Sequence, residues 1–174
     1  MKTSISVGGA YYNGEDWEEL VAFTLEAERL GVDHVWTAEA WGMDAIVPLA
    51  YLAAKTEKIH LGTGIVQISS RVPSMIAMTS QSMATVSNNR FILGLGVSGP
   101  QVVEGLHGAS FAHPLGRLRE CLEVVRLGLS GERVLAGVRC LFGEGDVMES
   151  QSVSPLSRFR TLLRSLGGDR KSVV

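Results

Sequence analysis

Three glycines punctuate the run FILGLGVSGP at residues 91–100: Gly94, Gly96 and Gly99. By letter they form G-x-G-x-x-G, a pattern whose glycines let a backbone approach a pyrophosphate. That chemistry also requires the motif to follow the first strand of its fold, and an acid about 20 residues later at the end of the next strand. Here the run belongs to the fourth strand-like segment, and the acids at that distance, Glu120 and Glu123, fall inside a helix-like one. Position therefore argues against a nicotinamide dinucleotide. A second reading is a site built on the C-terminal ends of several parallel strands, where small residues let a flat ring lie against the backbone. The other strand ends share the habit: Val7-Gly8-Gly9, Thr37-Ala38-Glu39-Ala40-Trp41, and Gly62-Thr63-Gly64-Ile65-Val66-Gln67. Glu39 and Gln67 add polar groups there. The plainest reading is that these glycines only make strand-to-helix turns.

The elements that would position these residues follow a repeat. Apolar runs suited to strands begin near Ser4, Asp33, Ile59 and Arg90, roughly one βα unit of about 30 residues apart. Between them lie amphipathic segments. In DWEELVAFTLEAERLG, Trp17, Leu20, Val21, Thr24, Ala27 and Leu30 recur at helical spacing, Asp16 is placed to cap and Gly31 to stop. DAIVPLAYLAAKT aligns Ile46, Leu49, Ala50 and Ala53, and Pro48 is tolerable near the first turn. PSMIAMTSQSMATVS aligns Val72, Ile76, Thr79, Met83 and Val86, with its methionines expected to pack between helix and sheet. HPLGRLRECLEVVRLGLSG aligns Leu115, Leu118, Leu122, Val125 and Leu129 before Gly131.

Four strands separated by helices imply a parallel sheet with right-handed crossovers, either doubly wound or part of a barrel. A complete (β/α)8 barrel takes about 250 residues, so 174 residues hold about half of one. The expected fold class is α/β: the N-terminal half of a (β/α)8 TIM barrel, about four βα units over residues 1–133, followed by an irregular tail. The tail, residues 134–174, breaks the pattern after Gly131-Glu132-Arg133, and only RFRTLLRSLGG in it reads as a short helix. A shifted reading frame or truncated product is favoured modestly over a linker as its origin.

Composition narrows the partners. Hydrophobic residues make up 45% and charged residues 20%, the balance of a soluble globular chain. No apolar run approaches the ~18 residues of a membrane span, and the N-terminus lacks the apolar core of a secretory signal. A cytoplasmic location is expected. A net charge of −2 gives no electrostatic reason to expect nucleic acid. Cys121 and Cys140 lack metal-ligand spacing and read as reduced thiols; no metal is expected.

The segments DHVWTAEAWGMDAIVPLAYLAAKTEKIHLGTGI, NRFILGLGVSGPQVVEGLHG and HPLGRLRECLEVVRLGLSGE resemble the luciferase-like monooxygenase family, flavin- or coenzyme F420-dependent (β/α)8 oxidoreductases. The resemblance covers all four βα units and is nearest the F420-dependent branch that includes methylene-tetrahydromethanopterin reductase. It implies a deazaflavin or flavin ring on the C-terminal face, with coenzyme F420 expected and FMN as the alternative. It places a strand-three bulge with a non-proline cis peptide at Gly64-Ile65, behind the ring. Glu39 falls at the acidic position near the ring's polar edge, Gln67 where a polar side chain reaches the cofactor, and Gly96, Val97 and Ser98 on the fourth strand's contact with it. Family members that dehydrogenate sugar phosphates carry a histidine directly after the acid; here that position is Ala40. Oxidising an alcohol needs a base for the hydroxyl proton, so the departure favours a reductase-like reaction. No residue is assigned as catalytic. His34 and His60 sit at strand starts, away from the site; His107 and His113 lie in the loop after the fourth unit, with surface or capping roles expected.

Two functions are thus carried forward. One is an oxidoreductase passing hydride between the ring and a small organic substrate, in a chain that forms homo-oligomers. The other is a catalytically silent half-barrel that only associates with another copy or chain.

Overall fold

The computed structural model describes residues 1–8 and 16–131. The tail at 134–174, and Gly9 at the end of the first strand, lie outside them. Strands β1 (Ser4–Ser6), β2 (His34–Thr37), β3 (His60–Thr63) and β5 (Phe91–Ile92) form one sheet in that order, with every pair parallel. Helices α1 (Trp17–Arg29), α2 (Ile46–Lys55), α3 (Pro73–Val86) and α4 (Pro114–Ser130) alternate with them. The four expected βα units are present. The third and fourth strands, however, are each broken into two pieces. Beyond β3 the chain resumes as β4 (Val66–Gln67), and beyond β5 as β6 (Leu95–Gly96); these two pair only with each other.

The strand period of two assigns the faces. Val35 and Leu61 are fully buried in a core with Leu49 and Leu52 of α2, Val21 of α1's cluster and Met83 of α3. The next residues along, Trp36 and Gly62, face the other way, into the concave side. Ser6, Trp36, Gly62 and Ile92 stand side by side across the sheet, as do Ser4, His34 and His60 one layer below. Gly62 is required there by the indole. A Cβ on it would lie 2.3 Å from two carbons of the Trp36 ring. This is the layered filling of a barrel interior.

Helix termini follow their local signals. Asp16 Oδ1 accepts from Glu18 N at 2.9 Å, and Gly31 takes φ 84° just past the end of α1. Asp44 Oδ1 accepts from Ile46 N and Val47 N, capping α2. Gly131, at φ 74°, closes α4.

Several expected faces are corrected. Leu30 and Leu115, placed on buried stripes, are 67% exposed each. Leu52 and Cys121 take buried places the expected stripes omitted. On α3 the buried residues are Pro73, Ile76, Ala77, Ser80 and Met83; Ile76 and Met83 are buried as expected, but the face is rotated toward Ala77 and Ser80. Val72, Met75, Met78 and Val86 are exposed instead. Serine at position 80 can be buried because its hydroxyl donates to Ile76 O, which frees the apolar residues on either side from marking the core. Between β6 and α4 the chain makes a π-helical turn, Gln101–Leu106, which the sequence reading does not assign.

The N-terminal side of the sheet is tied by Glu28 of α1, whose Oε1 accepts from Glu57 N, Lys58 N and Ile59 N at 2.7–3.0 Å. Burial opposes ionisation, but those backbone donors, with Arg90 nearby, outweigh it and hold the carboxyl below its ordinary value. A depressed carboxyl stabilises the fold above its unfolded pKa of about 4.3, and that contribution is lost as pH falls through the folded value. Glu28→Gln should therefore melt below wild type at pH 6–7, and the gap should narrow below about pH 4. A melting series from pH 7 to pH 3 with a constant gap would contradict this role.

Candidate functional site

The two strand breaks create the site. At the end of β3, Gly64 N donates to Thr37 O at 2.7 Å, and the Gly64–Ile65 peptide is cis, at the bond the resemblance marked. Across from it, Thr63 Oγ1 donates to Gly94 O at 2.9 Å and accepts from Gly94 N at 2.8 Å. One side-chain hydroxyl thus satisfies both backbone groups where the ladder between β3 and β5 stops. Pairing resumes beyond it, with Val66 N donating to Gly94 O and Ile68 N to Gly96 O.

This geometry separates the roles of the glycines. A Cβ on Gly94 would lie 2.0 Å from Thr63 O, and one on Gly96 2.9 Å from Ile65 Cδ1. Gly94 is required by the neighbouring backbone, whereas a side chain at Gly96 would have to displace the Ile65 side chain. Gly99 would meet only the tip of the Gln101 side chain, at 3.1 Å. The G-x-G-x-x-G letters therefore mark close approach of two broken strands. Gly64 differs from its neighbours. It is exposed, and a Cβ there would meet nothing nearer than 3.8 Å. Nothing in the fold itself requires glycine at that position.

Glu39, half-buried beyond the end of β2, is held from three directions. Its Oε2 accepts from Gln67 N at 2.9 Å and Ser70 Oγ at 3.2 Å, and its Oε1 pairs with Arg71 Nη1 at 2.5 Å. Gln67 Nε2 donates back to Glu39 O at 3.2 Å. Arg71 Nη2 also reaches Asp44 Oδ2 at 3.2 Å. The acidic and amide residues singled out from the sequence, Glu39 and Gln67, are thus in direct contact. Gln67 in turn pairs with Gly96 across β4 and β6, and Ile65 packs on Gly96. Arg71, Ser70 and Asp44 were not foreseen; their contacts to Glu39 and Arg71 join residues 27–32 apart in the chain.

Val97 stands apart from the other candidates. Its side chain, only partly buried, packs against a second core of Ile68, Ile76, Ala77, Cys121 and Val125. Ser98, the next residue, has φ 59°. His34 and His60 face one another at the strand starts with ring centroids 5.3 Å apart, on the opposite side. His113 stands at the N-cap position of α4 without a side-chain capping bond and is exposed, as is His107. Burial pushes the Cys121 thiol up to about 11, so it is a packing residue and not a nucleophile.

Two buried polar atoms beside the bulge, Gln67 Oε1 and Ser69 Oγ, have no hydrogen-bond partner among the described residues. Buried polar groups are ordinarily paired. Together with the open Gly64, they fit a bound group that is flat and carries N–H or O–H donors at its edge, as deazaflavin and flavin rings do.

Parallel βα units, with two broken strands meeting at their C-terminal ends, define the first half of a (β/α)8 barrel. The chain belongs to the luciferase-like monooxygenase family, whose model matches residues 1–142. It is 44% identical over 126 residues to a Mycobacterium tuberculosis protein named as a candidate coenzyme F420-dependent oxidoreductase, covering 72% of this chain and 36% of that one. It is 33% identical over 130 residues to the 5,10-methylenetetrahydromethanopterin reductase of Methanolobus tindarius, covering 70% of this chain and 40% of the reductase. Among solved structures, the oxygenating component of the 3,6-diketocamphane monooxygenase of Pseudomonas putida, in complex with FMN, superposes with a TM-score of 0.60. It has 17% identity, over 72% of this chain and 38% of that one. The chain therefore spans well under half the length of these relatives. Among the described residues, no helix is long and apolar enough to cross a membrane.

Proposed function

We propose that this chain supplies the ring-binding half of an oxidoreductase site, in which hydride passes between a deazaflavin or flavin ring and a carbon of a small organic substrate. The observation that carries the reading is the exposed bulge at Gly64, a backbone patch that the fold leaves bare at the C-terminal strand ends. Coenzyme F420 is the first choice, from the relative at 44% identity; FMN is the alternative, from the superposed monooxygenase. When bound, the ring supplies or accepts the hydride.

The chain's own residues do the rest. The Gly64-Ile65 backbone supports the back of the ring. Gln67 Oε1 offers an acceptor to a donor at the ring's edge. Gly96 and Ser98, with the Val97 backbone, border the pocket. Glu39 orients this wall and is not free to remove a proton, because its oxygens already accept from Gln67 N, Ser70 Oγ and Arg71 Nη1. Ala40 supplies no base either. A reaction that delivers hydride to an electrophilic carbon needs none, and the reading is therefore a reduction.

Titrating oxidised F420 and FMN separately into the full chain tests this. Saturable fluorescence quenching at about 10 µM or tighter, with a rise in melting temperature, is the expected result for one of the two. A folded chain that quenches neither would overturn the reading. Selective binding of NAD(P) would move the protein to a different class of oxidoreductase.

A further inference from the structure

The guanidinium of Arg71 joins the N-terminus of α2 to Glu39, beyond the end of β2. Asp44 uses one oxygen to cap α2 and the other to pair with Arg71 Nη2. Arg71 Nη1 then holds Glu39 Oε1 and donates to Ser70 Oγ. Glu39 Oε2, in turn, holds the backbone N–H of Gln67, the residue that pairs with Gly96. The chain of contacts runs unbroken from the N-terminus of α2 to both strands that border the bulge. Arg71 and Glu39 side chains are 21% and 9% exposed, so water competes little for this pair.

We propose that Arg71 is a positioning residue for the ring platform, fixing Glu39 and thereby the Gln67 backbone against Gly96. The role rests on the ring-binding reading given above. It depends on the shape of the guanidinium. A planar fork reaches two carboxylates at once, whereas the compact ammonium of lysine addresses one point. It also depends on charge balance. Removing Arg71 leaves the Glu39 carboxylate, nearly covered by protein, without its cation, which is costlier than removing both partners together.

The test titrates the full chain with F420, FMN and riboflavin, the last isolating ring contacts from the tail. Wild type is compared with Arg71→Met, Arg71→Lys, Asp44→Asn and the double variant Arg71→Met/Glu39→Gln, each also melted without ligand. Arg71→Met should weaken binding of whichever ring the wild type takes by about tenfold, corresponding to 1.4 kcal/mol. Arg71→Lys should recover only part of that loss. The double variant should bind more tightly than Arg71→Met alone, a non-additive rescue that loss of a merely stabilising contact would not produce. Folded Arg71→Met binding within twofold of wild type overturns the proposal while leaving the ring-binding reading intact. Should Arg71→Met fail to fold, Arg71→Lys and Asp44→Asn decide: wild-type affinity in both overturns it, and a loss of severalfold in either supports it. A wild type that binds none of the three ligands overturns the ring-binding reading, and this role with it.

Discussion

Gly94→Ala should cost at least about 3 kcal/mol and leave a chain that melts on the order of 10 °C lower or does not fold. The added methyl would sit 2.0 Å from Thr63 O and 3.2 Å from the carbon behind it. Neither is the end of a flexible side chain. The Thr63 hydroxyl clamps Gly94 N and O, Gly64 N holds Thr37 O, and Val66 N holds Gly94 O, so the two backbones cannot part without losing several hydrogen bonds together. Gly64→Ala is the control, at the residue that follows the clashing Thr63 carbonyl in the chain. Its methyl meets only ordinary contacts at 3.8 Å and beyond, and its melting temperature should stay within about 2 °C of wild type. Equal effects of the two substitutions would refute the distinction drawn between packing glycines and the open one.

Arg90→Met should be nearly as damaging, at about 3–5 kcal/mol. Arg90 is 9% exposed, and no carboxylate among the described residues is in direct contact with it. Its five donated bonds go to Ser87 O, Thr56 Oγ1, Ile59 O, Ala53 O and Thr56 O at 2.8–3.0 Å. Those carbonyls end α2, start β3 and end α3, so a single side chain satisfies acceptors that helix termini leave unpaired. Burial pushes the guanidinium's pKa down, and the nearby Glu28 and Glu57 push it back. Methionine keeps the stem's volume but strands the acceptors. Thermal melts of Arg90→Met within about 2 °C of wild type would show that water replaces these bonds at little cost.

The repeat of strands and helices was legible because apolar runs and caps are local signals. Asp16 before α1 and Gly31 and Gly131 after α1 and α4 each act within a few residues of where they stand. The face of α3 was legible only in part: Ile76 and Met83 are buried as the stripe expects, but Ala77 and Ser80 share that face while Val72, Met75, Met78 and Val86 sit outside. The π-helical turn at Gln101–Leu106 was not legible, since its hydrogen-bond register has no residue signature. Glu39 and Gln67 could be named from their places at strand ends. Their partners could not, because Arg71 and Asp44 reach them across a fold. Four of the five acceptors of Arg90 are backbone carbonyls, which no side-chain pattern reveals. The glycine letters illustrate the difference most plainly: position in the chain already argues against a phosphate cradle, but what Gly94 serves is seen only in the Thr63 carbonyl lying where its side chain would be.

The measurement that bears most directly on the central claim is the titration of wild type and Gly64→Ala, side by side, with F420 and with FMN. The account predicts saturable quenching of one of them by wild type, and affinity weaker by about tenfold or more for a Gly64→Ala chain that melts as wild type does. Equal affinity in the two chains, or no quenching by a folded wild type, would contradict it.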